Sequence, residues 1–142
     1  HEFFKNGIGN AYSSIATGKY TARAGHFHHK NVENFYTLSG TALWVFKDLR
    51  ENSPTSNKIF SVIFGYNKPT NTNGVASYTI DEMKMAQVIV PTGVYHIYWP
   101  LTDEKVIVVA AASEPYKKED YVHLDWKGME DIKNFVSKFG IM

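Results

Sequence analysis

His26 and His28 stand one residue apart, Glu33 follows five residues later, and His96 closes a second segment, Pro91-Thr92-Gly93-Val94-Tyr95-His96. On a strand, alternate side chains share a face, so His26 and His28 point the same way and His29 points away, toward the surface. A carboxylate on that inward face, beside two histidines, is costly to bury unless it is paired or ligating. Three imidazoles and one carboxylate converging on one point suit a divalent transition metal. The same set suits a general base and its helpers.

The rest of the chain reads mainly as short strands. Candidates are Phe3–Phe4, Tyr12–Ile15, residues 32–38, Thr41–Asp48, Lys58–Phe64, Met85–Pro91, His96–Trp99 and Lys105–Ala112. Ser39-Gly40 is a turn signal, which makes Thr41–Asp48 the return strand of a hairpin. Lys105–Ala112 is nearly all apolar, as expected of a strand buried on both faces. The polar stretch Asp48–Thr55 should be a loop, with Asp48 and Arg50 either a surface turn pair or substrate contacts. The stretch from Gly65 to Thr79 reads as a long loop, either a binding lid or a surface excursion.

At the tail the period changes. Met129, Ile132, Phe135, Val136 and Phe139 recur at helical spacing before Gly140, for packing on the barrel or on a second copy. Together these elements predict one all-β domain over residues 1–142, with a sandwich or barrel at about 10–126 and a short C-terminal helix at about 128–139.

Fifteen basic and 14 acidic residues give a net charge of +1, which argues for neither nucleic acid nor an anionic membrane as partner. No apolar run approaches the roughly 18 residues of a membrane span, and no signal peptide is visible. The chain has no cysteine, so it has no disulfide framework and no thiolate chemistry, as expected of a cytoplasmic protein. Aromatic residues make up 15% of the chain, enough to fill a core and to wall a pocket with polar edges. His123 lies near the end without a motif and reads as structural or exposed.

The spacing H-x-H-x4-E followed by P-x-G-x-x-H resembles the two motifs of the cupin superfamily, which implies a jelly-roll barrel. Within it the chain resembles the sugar-nucleotide cupins. Arg23, His26 and His28 form the R-x-x-H-x-H segment of sugar-nucleotide 3,4-ketoisomerases, and Ala112–Tyr121 has their A-S-x-x-Y-x-x-x-D-Y form. Asp48-Leu49-Arg50 with Ser53-Pro54-Thr55 resembles the dTDP-4-dehydrorhamnose 3,5-epimerases, whose catalytic His falls on His26. The tyrosine acid that those epimerases carry on a late strand falls on Ala110. The H-x-H-x4-E-x-F and P-T-G-x-x-H patterns are also those of the C-terminal cupin of capsular polysaccharide reductases.

The resemblance implies an isomerase or epimerase acting on a nucleotide-linked 4-keto sugar in polysaccharide or glycan biosynthesis, and a homodimer. His26 or His28 would take the proton alpha to the ketone, and Tyr98, which shares parity with His96, would shuttle it. Arg23 would hold the diphosphate, with Tyr116 a further substrate contact. His26, His28, Glu33 and His96 would be the ligands of a divalent Zn, Ni, Fe or Mn ion. A metal-dependent dioxygenase and a non-enzymatic sugar-binding cupin are the other two readings of these residues.

Overall fold

A computed structural model describes residues 7–66, 71–80 and 86–142. The candidate strand at Phe3–Phe4, and Met85 of the second motif's leading strand, lie outside these residues. Ten strands are described, in two sheets. The smaller has the order β1 (Asn10–Ala16), β9 (Val106–Ala112), β3 (Glu33–Ser39), β7 (Ala86–Val90). The larger runs β10 (Tyr121–His123), β2 (Arg23–His28), β8 (Val94–Pro100), β4 (Thr41–Asp48), β5 (Ile59–Gly65), β6 (Ser77–Thr79). Neighbours pair antiparallel except β5 and β6, which are parallel.

Two apolar layers follow from period-2 alternation on the central strands. One face of β3, β4, β8 and β9 meets between the sheets, where Phe35, Trp44, Tyr98, Val106 and Val108 are buried together. The opposite face of β4 and β8 carries Leu43, Val45, Tyr95, Ile97 and Trp99, which would be exposed but for the C-terminal segment. There α1 (Glu130–Ser137) lays Ile132 and Val136 on the sheet, and Ile141 adds to the cover. The helix therefore packs on its own barrel. Each such aliphatic side chain contributes about 1.5–3 kcal/mol.

Four sequence expectations need correction. The residues after Ser39-Gly40 do not return as a hairpin: β3 pairs with β7 and β9, and β4 with β5 and β8, so Gly40 passes the chain from one sheet to the other. An apolar strand pair joined by a tight turn looks alike in both cases. β8 is buried on both faces along its whole length and β4 over its first five residues, whereas β9 alternates buried and half-buried residues. Ser77–Thr79 of the expected long loop is a strand on the edge of the larger sheet, while residues 67–70 of that loop lie outside the described ones. The helix is shorter than its apolar spacing suggests, because Trp126–Gly128 forms a separate 3-10 turn before it.

The loop after β4 is held by its own residues. Asp48 is 1% exposed and accepts hydrogen bonds from Arg50 N, Nε and Nη2, from Ser53 Oγ and from Thr55 Oγ1. The Asp48–Arg50 pair is thus a turn pair. Arg50 also explains the glycine of P-x-G-x-x-H: Gly93 has φ +73, and a Cβ there would come within 2.6 Å of Arg50 Cγ.

Candidate functional site

The site depends on an irregularity in β2. Against β8, Arg23 pairs with Tyr98 and Ala24 with Ile97, but the next pair is His26 with His96. The extra residue is accommodated by Ala24 (φ 68) and Gly25 (φ 82). Glycine adopts that conformation without steric cost, and the alanine stores about 1 kcal/mol. Without this bulge, simple alternation would place Arg23 and His26 on opposite faces; with it, both stand across from inward residues of β8.

His26 and His28 of β2, Glu33 at the start of β3, and His96 of β8 meet in the interior, with one ligand atom from each all within 4.8 Å of one another. Glu33 Oε2 is the centre: it lies 3.0 Å from His28 Nε2, 3.1 Å from His96 Nε2 and 3.8 Å from His26 Nε2. Glu33 and His96 are 0% exposed, His28 2% and His26 6%. Outside this ring stand further partners. Tyr12 donates to Glu33 Oε1 at 2.6 Å. His96 Nδ1 lies 3.2 Å from the carbonyl of Val94, and His28 Nδ1 lies 3.2 Å from Asp120 Oδ2. Asp120 also accepts the backbone N–H groups of His29, Lys30 and Asn31, tying the β2–β3 turn to the segment before β10.

Carbonyls and carboxylates can only accept, and His28 and His96 each have such a group at both ring nitrogens: Asp120 and Glu33 for His28, the Val94 carbonyl and Glu33 for His96. A neutral ring can donate to only one of the two, so the arrangement is complete either with both nitrogens protonated or with Nδ1–H donating outward and the Nε2 lone pair given to a cation at the centre. Ring nitrogens gathered round a carboxylate oxygen, with His96 Nε2 buried and without a hydrogen-bond partner among the described residues, fit a divalent transition metal.

Burial alone would raise the Glu33 carboxyl, but His26, His28 and His96 outweigh it and hold Glu33 well below the usual carboxylate range. His26 is lowered to about 4, chiefly by burial, with His96 and His28 adding to the effect against the pull of Glu33. Burial and the neighbouring Glu33 raise Tyr12, so its hydroxyl keeps its proton.

A cavity of about 440 Å3 opens over His26, walled by Tyr12 and Ser14 of β1, Tyr98 of β8, and Tyr116, Tyr121 and His123. Tyr98 shares a 2.8 Å hydrogen bond with Ser14, and burial raises its phenol. Tyr116 stands on the rim, 63% exposed, with its ring centroid 5.1 Å from that of Tyr121. Arg23 donates from Nε to Ile15 O and from Nη1 to Ala22 O, beside Tyr98 in the sheet. His29 is exposed and gives only its backbone N–H to Asp120.

Sequence reasoning missed Tyr121, whose ring stands 5.0 Å from that of His26 and 4.3 Å from that of His28, and also His123, Tyr12 and Asp120. His123 is exposed, as expected, yet it lines the cavity, because β10 pairs with β2 and sets His123 opposite His26, with ring centroids 5.2 Å apart. Tyr12 shares its face with Asn10 and Ser14 by period-2 alternation, a signal present in the sequence but silent about Glu33. Asp120 lies in the A-S-x-x-Y-x-x-x-D-Y segment, whose form gives no hint of a contact with His28.

No protein-family profile matches the chain, and no curated protein matches it in sequence. Solved structures do share its fold. A dTDP sugar isomerase from Desulfovibrio desulfuricans superposes with a TM-score of 0.66 at 20% identity, over 83% of this chain and 65% of that one. The dTDP-4-dehydrorhamnose 3,5-epimerase of Bacillus anthracis, solved with TDP and PPi bound, gives 0.64 at 20% identity, over 84% and 60%. The capsular polysaccharide assembling protein CapF of Staphylococcus aureus gives 0.59 at 18% identity, over 83% and 27%. The chain spans less than two thirds of the length of each. What the chain shares with these structures is the fold, a jelly roll of two packed β-sheets.

Proposed function

We propose that the chain is an isomerase or epimerase acting on a nucleotide-linked 4-keto sugar, with His26 as the base that takes the proton alpha to the ketone. The observation that carries this reading is the placement of His26. Of the four clustered residues it is the one that lines the cavity, its burial keeps it neutral, and neither of its ring nitrogens has a hydrogen-bond partner among the described residues. A base needs such a free lone pair at working pH. Burial makes charging His26 costly, and the Glu33 carboxylate 3.8 Å away offsets that cost once the imidazolium forms.

Tyr98 supplies the second proton position. Its hydroxyl faces the cavity, retains its proton and is oriented by Ser14, so it can donate to the sugar oxygen or return a proton to carbon. Arg23 keeps guanidinium donors beyond the two it gives to backbone, for the diphosphate. Tyr116 closes the rim over the nucleotide. The fold shared with a dTDP sugar isomerase and with an epimerase solved with TDP and PPi supports this substrate class.

The cluster would hold Zn, Ni, Fe or Mn, and a bound ion would supply Lewis-acid polarisation of the keto or enolate oxygen. The outer face of the smaller sheet presents Ile15 and Leu38 exposed, with Ile107 and Val109 half-buried. It is the surface a second copy would cover in a homodimer.

The test is incubation with a dTDP-4-keto-6-deoxy sugar in deuterated buffer under an oxygen electrode. An isomerase or epimerase exchanges deuterium into carbon without consuming oxygen. Oxygen uptake that needs Fe would make the chain a dioxygenase. Stabilisation by the ligand with neither exchange nor uptake would make it a sugar-binding module.

A further inference from the structure

We infer that the metal donor set of this chain is three residues, His28, Glu33 and His96, and that His26 stands outside it as a free ring facing the cavity. The inference rests on the proposed function for what His26 then does. The donor assignment itself stands on the hydrogen bonds around the cluster.

A metal ligand is held by a partner on its far side, which fixes the tautomer and aims the donor pair. Three of the four residues have one. His28 Nδ1 faces Asp120, His96 Nδ1 faces the Val94 carbonyl, and Glu33 Oε1 accepts from Tyr12. His26 has none: among the described residues neither its Nδ1 nor its Nε2 has a hydrogen-bond partner.

Spacing makes the same division. Bond lengths of about 2.0–2.1 Å to nitrogen and oxygen put adjacent ligand atoms roughly 2.9–3.4 Å apart. The contacts of Glu33 Oε2 with His28 and His96, 3.0 and 3.1 Å, fall in that interval, and the 3.8 Å contact with His26 does not. Among these four, only His26 reaches the cavity wall. A lone pair given to a metal cannot also accept a proton from carbon. The division removes that conflict, because the aimed donors hold the ion and the unaimed ring keeps its lone pair. A three-residue set also leaves a coordination position unfilled by protein.

The test uses the purified chain, stripped with chelator and titrated with Co2+ while its visible absorption is recorded, as wild type, His26→Asn, His96→Asn and Asp120→Asn. Wild type and His26→Asn should each bind one equivalent with superimposable bands and affinities within about threefold. His96→Asn should lose the site, and Asp120→Asn should weaken it by about 10–100-fold. The Asp120 variant keeps the comparison valid where His96→Asn fails to fold. Altered bands or a tenfold weaker affinity in His26→Asn would overturn the inference in favour of four donors, and absence of Co2+ binding by wild type would overturn it outright. Failure of the isomerase reading would show separately, as no deuterium exchange by wild type, and would leave the Co2+ result intact.

Discussion

At His26, burial and chemistry meet in a single ring. Its pKa of about 4 leaves it neutral over the range in which an ordinary histidine titrates. Deuterium exchange is therefore expected to stay level from pH 8 down to about 5 and to fall only as pH approaches 4; a decline centred near 6.5 would mean that another group is the base. Stability has a matching sign. The unfolded ring takes its proton near 6.5 and the folded one near 4, so its contribution is whole above 6.5 and is lost as pH falls through 4. His26→Asn is expected to slow exchange by about 10^2–10^4-fold, with circular dichroism unchanged. Strand parity makes His26 and His28 legible as a pair on one face, whereas Glu33 and His96 join them through the resemblance of the two motifs to the cupin spacing. Tyr12, Asp120 and His123 were not legible, because their roles arise from cross-strand neighbours tens of residues away.

Among the elements, β2 and α1 carry the clearest consequences. The bulge at Ala24–Gly25 sets which face Arg23 occupies, and it cannot be counted from residue spacing without the partner strand. Gly25→Val is expected to cost at least about 1–2 kcal/mol, since a β-branched residue is strained at positive φ, and to reduce exchange with it. Chemical denaturation and the exchange assay read the two effects. The helix offers the converse case. Ile132 is 0% exposed on the outer face of the larger sheet, so Ile132→Ala should cost about 2–5 kcal/mol in urea unfolding while exchange per folded molecule is retained. Its helical spacing was readable, but the surface it covers was not: that surface exists because β4 and β8 are apolar on both faces.

Over the whole molecule, two sheets enclose the site from one side and a helix seals the other side of the larger sheet. The loop after β4 is fastened by Asp48, which Arg50 holds well below the ordinary carboxylate value of 3.8. Its contribution is present above that value and is lost as pH falls below it. Asp48→Ala is expected to lower stability by about 1–3 kcal/mol, because Ser53, Thr55 and the Arg50 backbone N–H lose the acceptor that orders the loop, while the half-exposed Arg50 guanidinium turns to water; thermal melting at pH 7 checks it. The strand-rich jelly roll was readable from turn spacing and motif order, whereas sheet membership was not, since Gly40 looks like a hairpin turn and acts as a crossing between sheets. The proposed chemistry is proton abstraction by His26 from a 4-keto sugar nucleotide. The direct measurement is proton NMR of a dTDP-4-keto-6-deoxy sugar in deuterated buffer with wild type and His26→Asn side by side. Loss of the signal from a carbon next to the ketone with wild type, and its persistence with the folded variant, is the expected result. Persistence of every carbon-bound proton with wild type would contradict the account.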